Sequence, residues 1–99
     1  MPAKGVDNVI NVTGFWRGND QICCAYRYYE FNGTQMDKVS NSTCFSYKMD
    51  QLSSFVREIK LPSYASSVTL YIFRANTNIL LVEHTIRVGL EVLLIIISR

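Results

Sequence analysis

The run Ile22-Cys23-Cys24-Ala25-Tyr26-Arg27-Tyr28-Tyr29-Glu30-Phe31 is dense in aromatic side chains and closes on Asn32-Gly33. Aromatic and β-branched residues suit the pleated, half-buried surface of a sheet, and Asn-Gly is a strong signal for the turn that ends a strand. The pattern recurs on both sides. Upstream, Val6 to Thr13 alternates roughly between apolar and polar. Downstream, Phe55 to Leu61 alternates and stops at Pro62, and Ser67 to Phe73 is β-branched and aromatic throughout. Ile79 to Glu83, Thr85 to Val88 and Val92 to Ile97 complete the set. Seven such runs with turn residues between them, about 10–15 residues apart, predict an all-β fold, a small antiparallel sandwich or barrel. One helical competitor exists, Val82 to Ser98. It holds Gly89 in its interior and ends in β-branched residues, so the strand reading prevails.

The chain has 99 residues, one domain's worth, and neither repeat nor linker divides it. An apolar fraction of 48% is a globular composition. The net charge is +2, and the ten Lys and Arg are scattered without a basic run. Nucleic acid is therefore not an expected partner, because phosphate binding needs a basic face.

Compartment is marked by three N-glycosylation acceptor triplets, Asn11-Val12-Thr13, Asn32-Gly33-Thr34 and Asn41-Ser42-Thr43. They predict a secreted, extracellular glycoprotein with N-linked glycans on Asn11, Asn32 and Asn41. The start, Met1-Pro2-Ala3-Lys4-Gly5, has no apolar core of a leader and reads as a mature chain. Cys23, Cys24 and Cys44 are odd in number, so one internal bridge and one leftover thiol are expected. Neighbours on a strand point to opposite faces. One of Cys23 and Cys24 is then expected to face inward toward Cys44, the other being a buried thiol or an intermolecular link. Three Cys with a single distant His, His84, offer no zinc-ligand spacing.

The last segment differs from the rest. Val92-Leu93-Leu94-Ile95-Ile96-Ile97 is apolar without alternation, and Leu90 precedes it with Glu91 as the lone charge. A membrane span needs about 20 apolar residues, and Glu83, His84, Arg87 and Glu91 interrupt the stretch. A strand apolar on both faces must be covered on both. Residues 90–97 are thus expected either to close this fold from within or to be exchanged with, or added to, a neighbouring subunit. Leu90, Val92, Leu94 and Ile96 are the candidate assembly residues.

Tyr26-Arg27-Tyr28-Tyr29-Glu30-Phe31-Asn32-Gly33, followed by Asp50-Gln51-Leu52-Ser53-Ser54-Phe55, resembles one Greek-key motif of the βγ-crystallin superfamily over about residues 22–61. The resemblance implies an aromatic corner on a folded hairpin, a positive φ at Gly33, and a serine-rich loop before the motif's last strand. The second half departs from the pattern, with Asn76 where an aromatic belongs after Tyr71 and Asn78 where a Gly belongs. Calcium is the cofactor the resemblance implies. Met49 stands where the first acid or amide of that site would be, which leaves Asp50 and Ser53, far short of the about six to eight oxygens calcium takes. The chain is also similar to crystallin-like bacterial protease inhibitors, a likeness that implies a Cys24–Cys44 bridge and an interaction module, an inhibitor or toxin-like binder.

Catalytic signatures are missing from the sequence. His84 has no Cys or Ser partner in a recognisable arrangement, the carboxylates form no pair, and the glycines build no phosphate loop. Phe15-Trp16 reads as a packed pair under one end of the fold, with carbohydrate stacking as the other use. The expected function is non-enzymatic: a structural subunit that self-associates through β-strands into an extracellular assembly.

Overall fold

A computed structural model describes residues 8–30, 39–77, 79–88 and 92–97. They form seven strands: β1 (Asn8–Trp16), β2 (Ile22–Glu30), β3 (Thr43–Phe45), β4 (Ser53–Leu61), β5 (Ala65–Arg74), β6 (Leu80–Arg87) and β7 (Val92–Ile96). Two sheets result, a three-stranded one in the order β4-β1-β7 and a four-stranded one in the order β3-β2-β5-β6. The fold is an all-β sandwich, as the pattern of short runs predicts. Neighbouring strands pair antiparallel except β1 and β7, which run parallel.

Each sheet turns one apolar face inward because its strands alternate. From the three-stranded sheet come Ile10, Val12, Trp16, Phe55, Ile59, Leu61, Ile95 and Ile97. From the four-stranded sheet come Ile22, Cys24, Val68, Leu70 and Ile72. Full burial of such side chains contributes roughly 1.5–3 kcal/mol each, which is what holds two small sheets face to face. Gly14 occupies an inward position on β1 directly opposite Phe55. A Cβ there would fall 2.1 Å from the Phe55 Cε2, so the absence of a side chain lets that ring lie across the strand. Phe55 stacks on Phe45 with centroids 4.5 Å apart and tilts against Trp16 at 6.1 Å. This aromatic row ties β4 and β1 to β3 of the opposite sheet.

Several expected boundaries move, each for a physical reason. β1 continues past Thr13 to Trp16, because Gly14 is used as a cross-strand seat rather than a turn. Ile79–Glu83 and Thr85–Val88 are one strand, β6, since Glu83, His84 and Thr85 are exposed on the sheet's edge and polarity there interrupts nothing. β3 has no apolar signature of its own. It is three residues long and is held by its ladder to β2. The hairpin between β5 and β6 turns at Asn76, whose φ of 59° is left-handed, a conformation that Asn tolerates better than most residues. Asn32-Gly33 and the turn expected there lie outside the described residues.

Candidate functional site

The aliphatic segment at the end of the chain becomes an edge strand. β7 pairs with β1 of its own chain, Asn11 opposite Val92 through Phe15 opposite Ile96, and its other side meets no further strand among the described residues. The non-alternating sequence nevertheless alternates in burial. Ile95 and Ile97 are buried in the core, whereas Leu94 and Ile96 are 61% and 72% exposed on the sheet's outer face. Val92 and Ile96 bound β7, while Leu90 lies outside the described residues.

Main-chain geometry adds to this. The Ile97 N–H donates to the Phe15 carbonyl at 3.0 Å, so residue 97 directs its peptide groups at β1. The alternation of a strand then turns those of Ile95 the same way and those of Leu94 and Ile96 toward the open side. Leu94 and Ile96 thus carry exposed apolar side chains and direct their N–H and C=O groups to a side where no strand stands among the described residues.

The other edges are guarded. An exposed strand edge templates pairing with other chains unless it is short, charged or covered. β4 carries Arg57, Glu58 and Lys60, with Lys60 and Glu58 in an exposed ion pair at 3.8 Å. β6 carries Glu83, His84 and Arg87, all exposed. β3 spans only three residues. β7 alone has neither charge nor brevity of that kind in its protection.

The cysteines give the one bridge and one buried thiol expected, with Cys23 rather than Cys24 as the partner of Cys44. The bridge is Cys23–Cys44, with Cα atoms 4.0 Å apart and a sequence separation of 21. The residues are register partners across β2 and β3, on the outer face of the four-stranded sheet. Cys24, the partner implied by the inhibitor likeness, points into the core and is a free, buried thiol. The inward-facing bridge anticipated from strand alternation fails because Cys44 belongs to the same sheet as Cys23, so the two meet side by side on one face and no link crosses the core. Burial pushes the Cys24 thiol above its ordinary value of 9.0, opposed by the charge and hydrogen bond of nearby Arg57.

Arg57 is a residue the sequence reading passed over. It occupies an inward position of β4 between Phe55 and Ile59. Its guanidinium donates through Nη1 to the Cys24 carbonyl and through Nη2 to the Asn41 carbonyl at 3.4 Å, and it lies 5.2 Å from the centre of the Tyr26 ring. A charge breaking the apolar parity of Phe55-Val56-Arg57-Glu58-Ile59 was the available signal. Arg57 laces the edge of one sheet to β2 and to the segment before β3.

Two of the three acceptor asparagines can be placed. Asn11 lies in the middle of β1, exposed on the outer face of the three-stranded sheet, between Glu58 of β4 and Val92 of β7. Asn41 is exposed on the segment leading into β3. Asn32 lies outside the described residues.

Ser53 is buried, and its hydroxyl accepts the Lys48 N–H at 2.7 Å, closing the loop in which exposed Asp50 takes a φ of 58°. Among the described residues no three His, Cys, Asp or Glu gather in a metal-binding group. His84 is exposed on β6, opposite Leu70. Trp16 is packed, its indole N–H donating to the Asp20 carbonyl at 3.1 Å, while Phe15 is half-buried on the outer face. Among the described residues no helix is long and apolar enough to cross a membrane. Compared with protein-family models, curated proteins and solved structures, the chain matches none.

Proposed function

We propose that this domain is a non-enzymatic, secreted glycoprotein module that self-associates by strand addition, β7 pairing with the β7 of a second copy. The observation that carries the reading is the open, uncharged edge of β7, with Leu94 and Ile96 exposed beside outward-facing peptide groups. Antiparallel pairing about a two-fold axis beside Leu94 aligns the whole of Val92–Ile96 with its copy and continues both three-stranded sheets into one. Such a contact is isologous and closes as a dimer. Main-chain hydrogen bonds supply its register and alternate side chains its specificity.

The exposed acceptors Asn11 and Asn41 and the Cys23–Cys44 bridge support an oxidising, secretory setting. A glycan on Asn11 also favours this geometry over its rival. Asn11 shares the outer face with Leu94 and Ile96, so a sugar there obstructs face-to-face packing of two such sheets. An added strand lies beyond β7, two strand spacings or about 10 Å from β1, and leaves the sugar in solvent.

Light scattering across a range of concentrations tests the reading. The parent should form dimers, and the Leu94→Lys/Ile96→Lys variant should be a folded monomer by circular dichroism, because both side chains stand in solvent and Leu94→Lys sets two ammonium groups opposite one another in the dimer. A parent that stays monomeric at high concentration overturns the proposal. So does a variant that unfolds, since that would make these side chains core.

A further inference from the structure

The outer face of the four-stranded sheet carries a solvent-open cleft of about 560 Å³ that the association reading leaves unused. Its floor is set by the ladder: Ala25 lies opposite Tyr71, with Arg27 two residues along on the same face of β2 and Phe73 two along on the same face of β5. Its wall is the segment Val39, Ser40, Asn41 and Ser42. The volume falls in the range of small-ligand sites, about 300–1,000 Å³. The Arg27 Nε is buried and has no hydrogen-bond partner. Arg27 lines the cleft, and a guanidinium offers five N–H donors in all.

We infer that this cleft seats the first N-acetylglucosamine of a glycan on Asn41. The inference rests on the glycoprotein reading above and adds to it the place where the sugar lies. Three observations select this occupant. Asn41 is itself a wall of the cleft and the acceptor of Asn41-Ser42-Thr43, so the sugar is tethered at the mouth and weak contacts suffice at the resulting high effective concentration. The flat apolar face of a pyranose matches the rings of Tyr71 and Phe73, and its acetamido carbonyl and hydroxyls are uncharged acceptors for the Arg27 guanidinium.

The third observation is that the carrier is held in place. The Ser40 N–H donates to the Tyr26 carbonyl at 2.8 Å, and the Ser40 hydroxyl accepts the Tyr26 N–H at 3.0 Å. The Asn41 carbonyl accepts from the Ser40 hydroxyl at 3.2 Å and from Arg57. Asparagine 41 is thus presented to the cleft by a segment pinned to β2, and little ordering entropy remains to oppose seating the sugar.

The test uses the full chain secreted from a glycosylating eukaryotic host and trimmed by an endoglycosidase to one N-acetylglucosamine per site. Nuclear Overhauser contacts between the sugar on Asn41 and the Tyr71 ring protons are expected, with sugar resonances shifted upfield by the ring. The trimmed protein should melt about 4 °C or more above the Thr43→Ala variant, beyond the difference that the same chains show when made without glycans in a bacterial host, because Thr43 is also a residue of β3. Tyr71→Ala should abolish that difference, and Arg27→Gln should shrink it. Occupancy of Asn41 without ring contacts, and with no melting difference from Thr43→Ala beyond that of the glycan-free chains, overturns the seat while leaving the glycoprotein reading intact. Intact mass showing no sugar anywhere on the secreted protein overturns both.

Discussion

Proline substitutions along β7 separate its two sides. Leu94 directs its N–H to the open edge and Ile95 directs its own to β1, by the period that the Ile97–Phe15 hydrogen bond establishes. In the two-fold pairing proposed, Val92, Leu94 and Ile96 exchange bonds with their counterparts, and Leu94→Pro deletes the Leu94 N–H donor from both copies. At about 1 kcal/mol net per bond, the two lost bonds weaken the dimer by about 2 kcal/mol, roughly 30-fold in Kd. The monomer should lose little, since proline is tolerated where the missing donor faces solvent at a sheet edge. Ile95→Pro removes a donor from the β1–β7 ladder instead and, by the parallel register, leaves the Thr13 carbonyl without its partner, so its effect should appear as a lowered Tm. Sedimentation equilibrium reads the first quantity and thermal denaturation by circular dichroism the second. An unchanged Kd for Leu94→Pro refutes edge pairing. Equal melting temperatures for Leu94→Pro and Ile95→Pro refute the assignment of peptide directions.

Two further expectations concern the core. Gly14→Ala should destabilise by about 1–3 kcal/mol through overpacking against Phe55, and in a Phe55→Leu background the same substitution should cost clearly less; equal costs in a double-mutant cycle of thermal melts would show that the ring is not the obstacle. Cys24 should resist alkylation until the protein unfolds, with peptide mapping finding Cys23 linked to Cys44. Because the native thiol is raised above 9.0, its contribution to stability is complete below that pH and falls as pH rises past it, which urea denaturation near neutrality and above pH 9.0 will register unless Cys24 is in fact accessible.

Much of the fold was legible in the sequence, because a strand announces itself by composition and by a period of two. β2, β4 and β5 were read nearly to their ends from aromatic and β-branched runs bounded by turn residues. The odd number of cysteines likewise needs no coordinates. What local pattern does not contain is which strand lies beside which. β3 exists because β2 offers it a ladder and a disulfide, and nothing within Thr43-Cys44-Phe45 signals a strand. The choice between Cys23 and Cys24 turned on whether Cys44 sits in the same sheet or the opposite one, a fact of topology that alternation cannot supply.

The functional reading divides in the same way. The apolar run from Val92 to Ile97 established that a strand would present hydrophobic groups on both faces. Only tertiary structure decided that β7 stands at an edge, with Ile95 and Ile97 in the core and Leu94 and Ile96 in solvent. Asn41 was visible as an acceptor, but Arg27, Tyr71 and Phe73 lie far from it in sequence and share a cleft with it because β2 and β5 are neighbours. The reason is physical: hydrophobicity and propensity act on each residue and its near neighbours, whereas strand order is settled by how two sheets bury their faces against one another. Edges, clefts and cross-strand pairs are properties of that global packing, and they come into being only when the whole chain has folded.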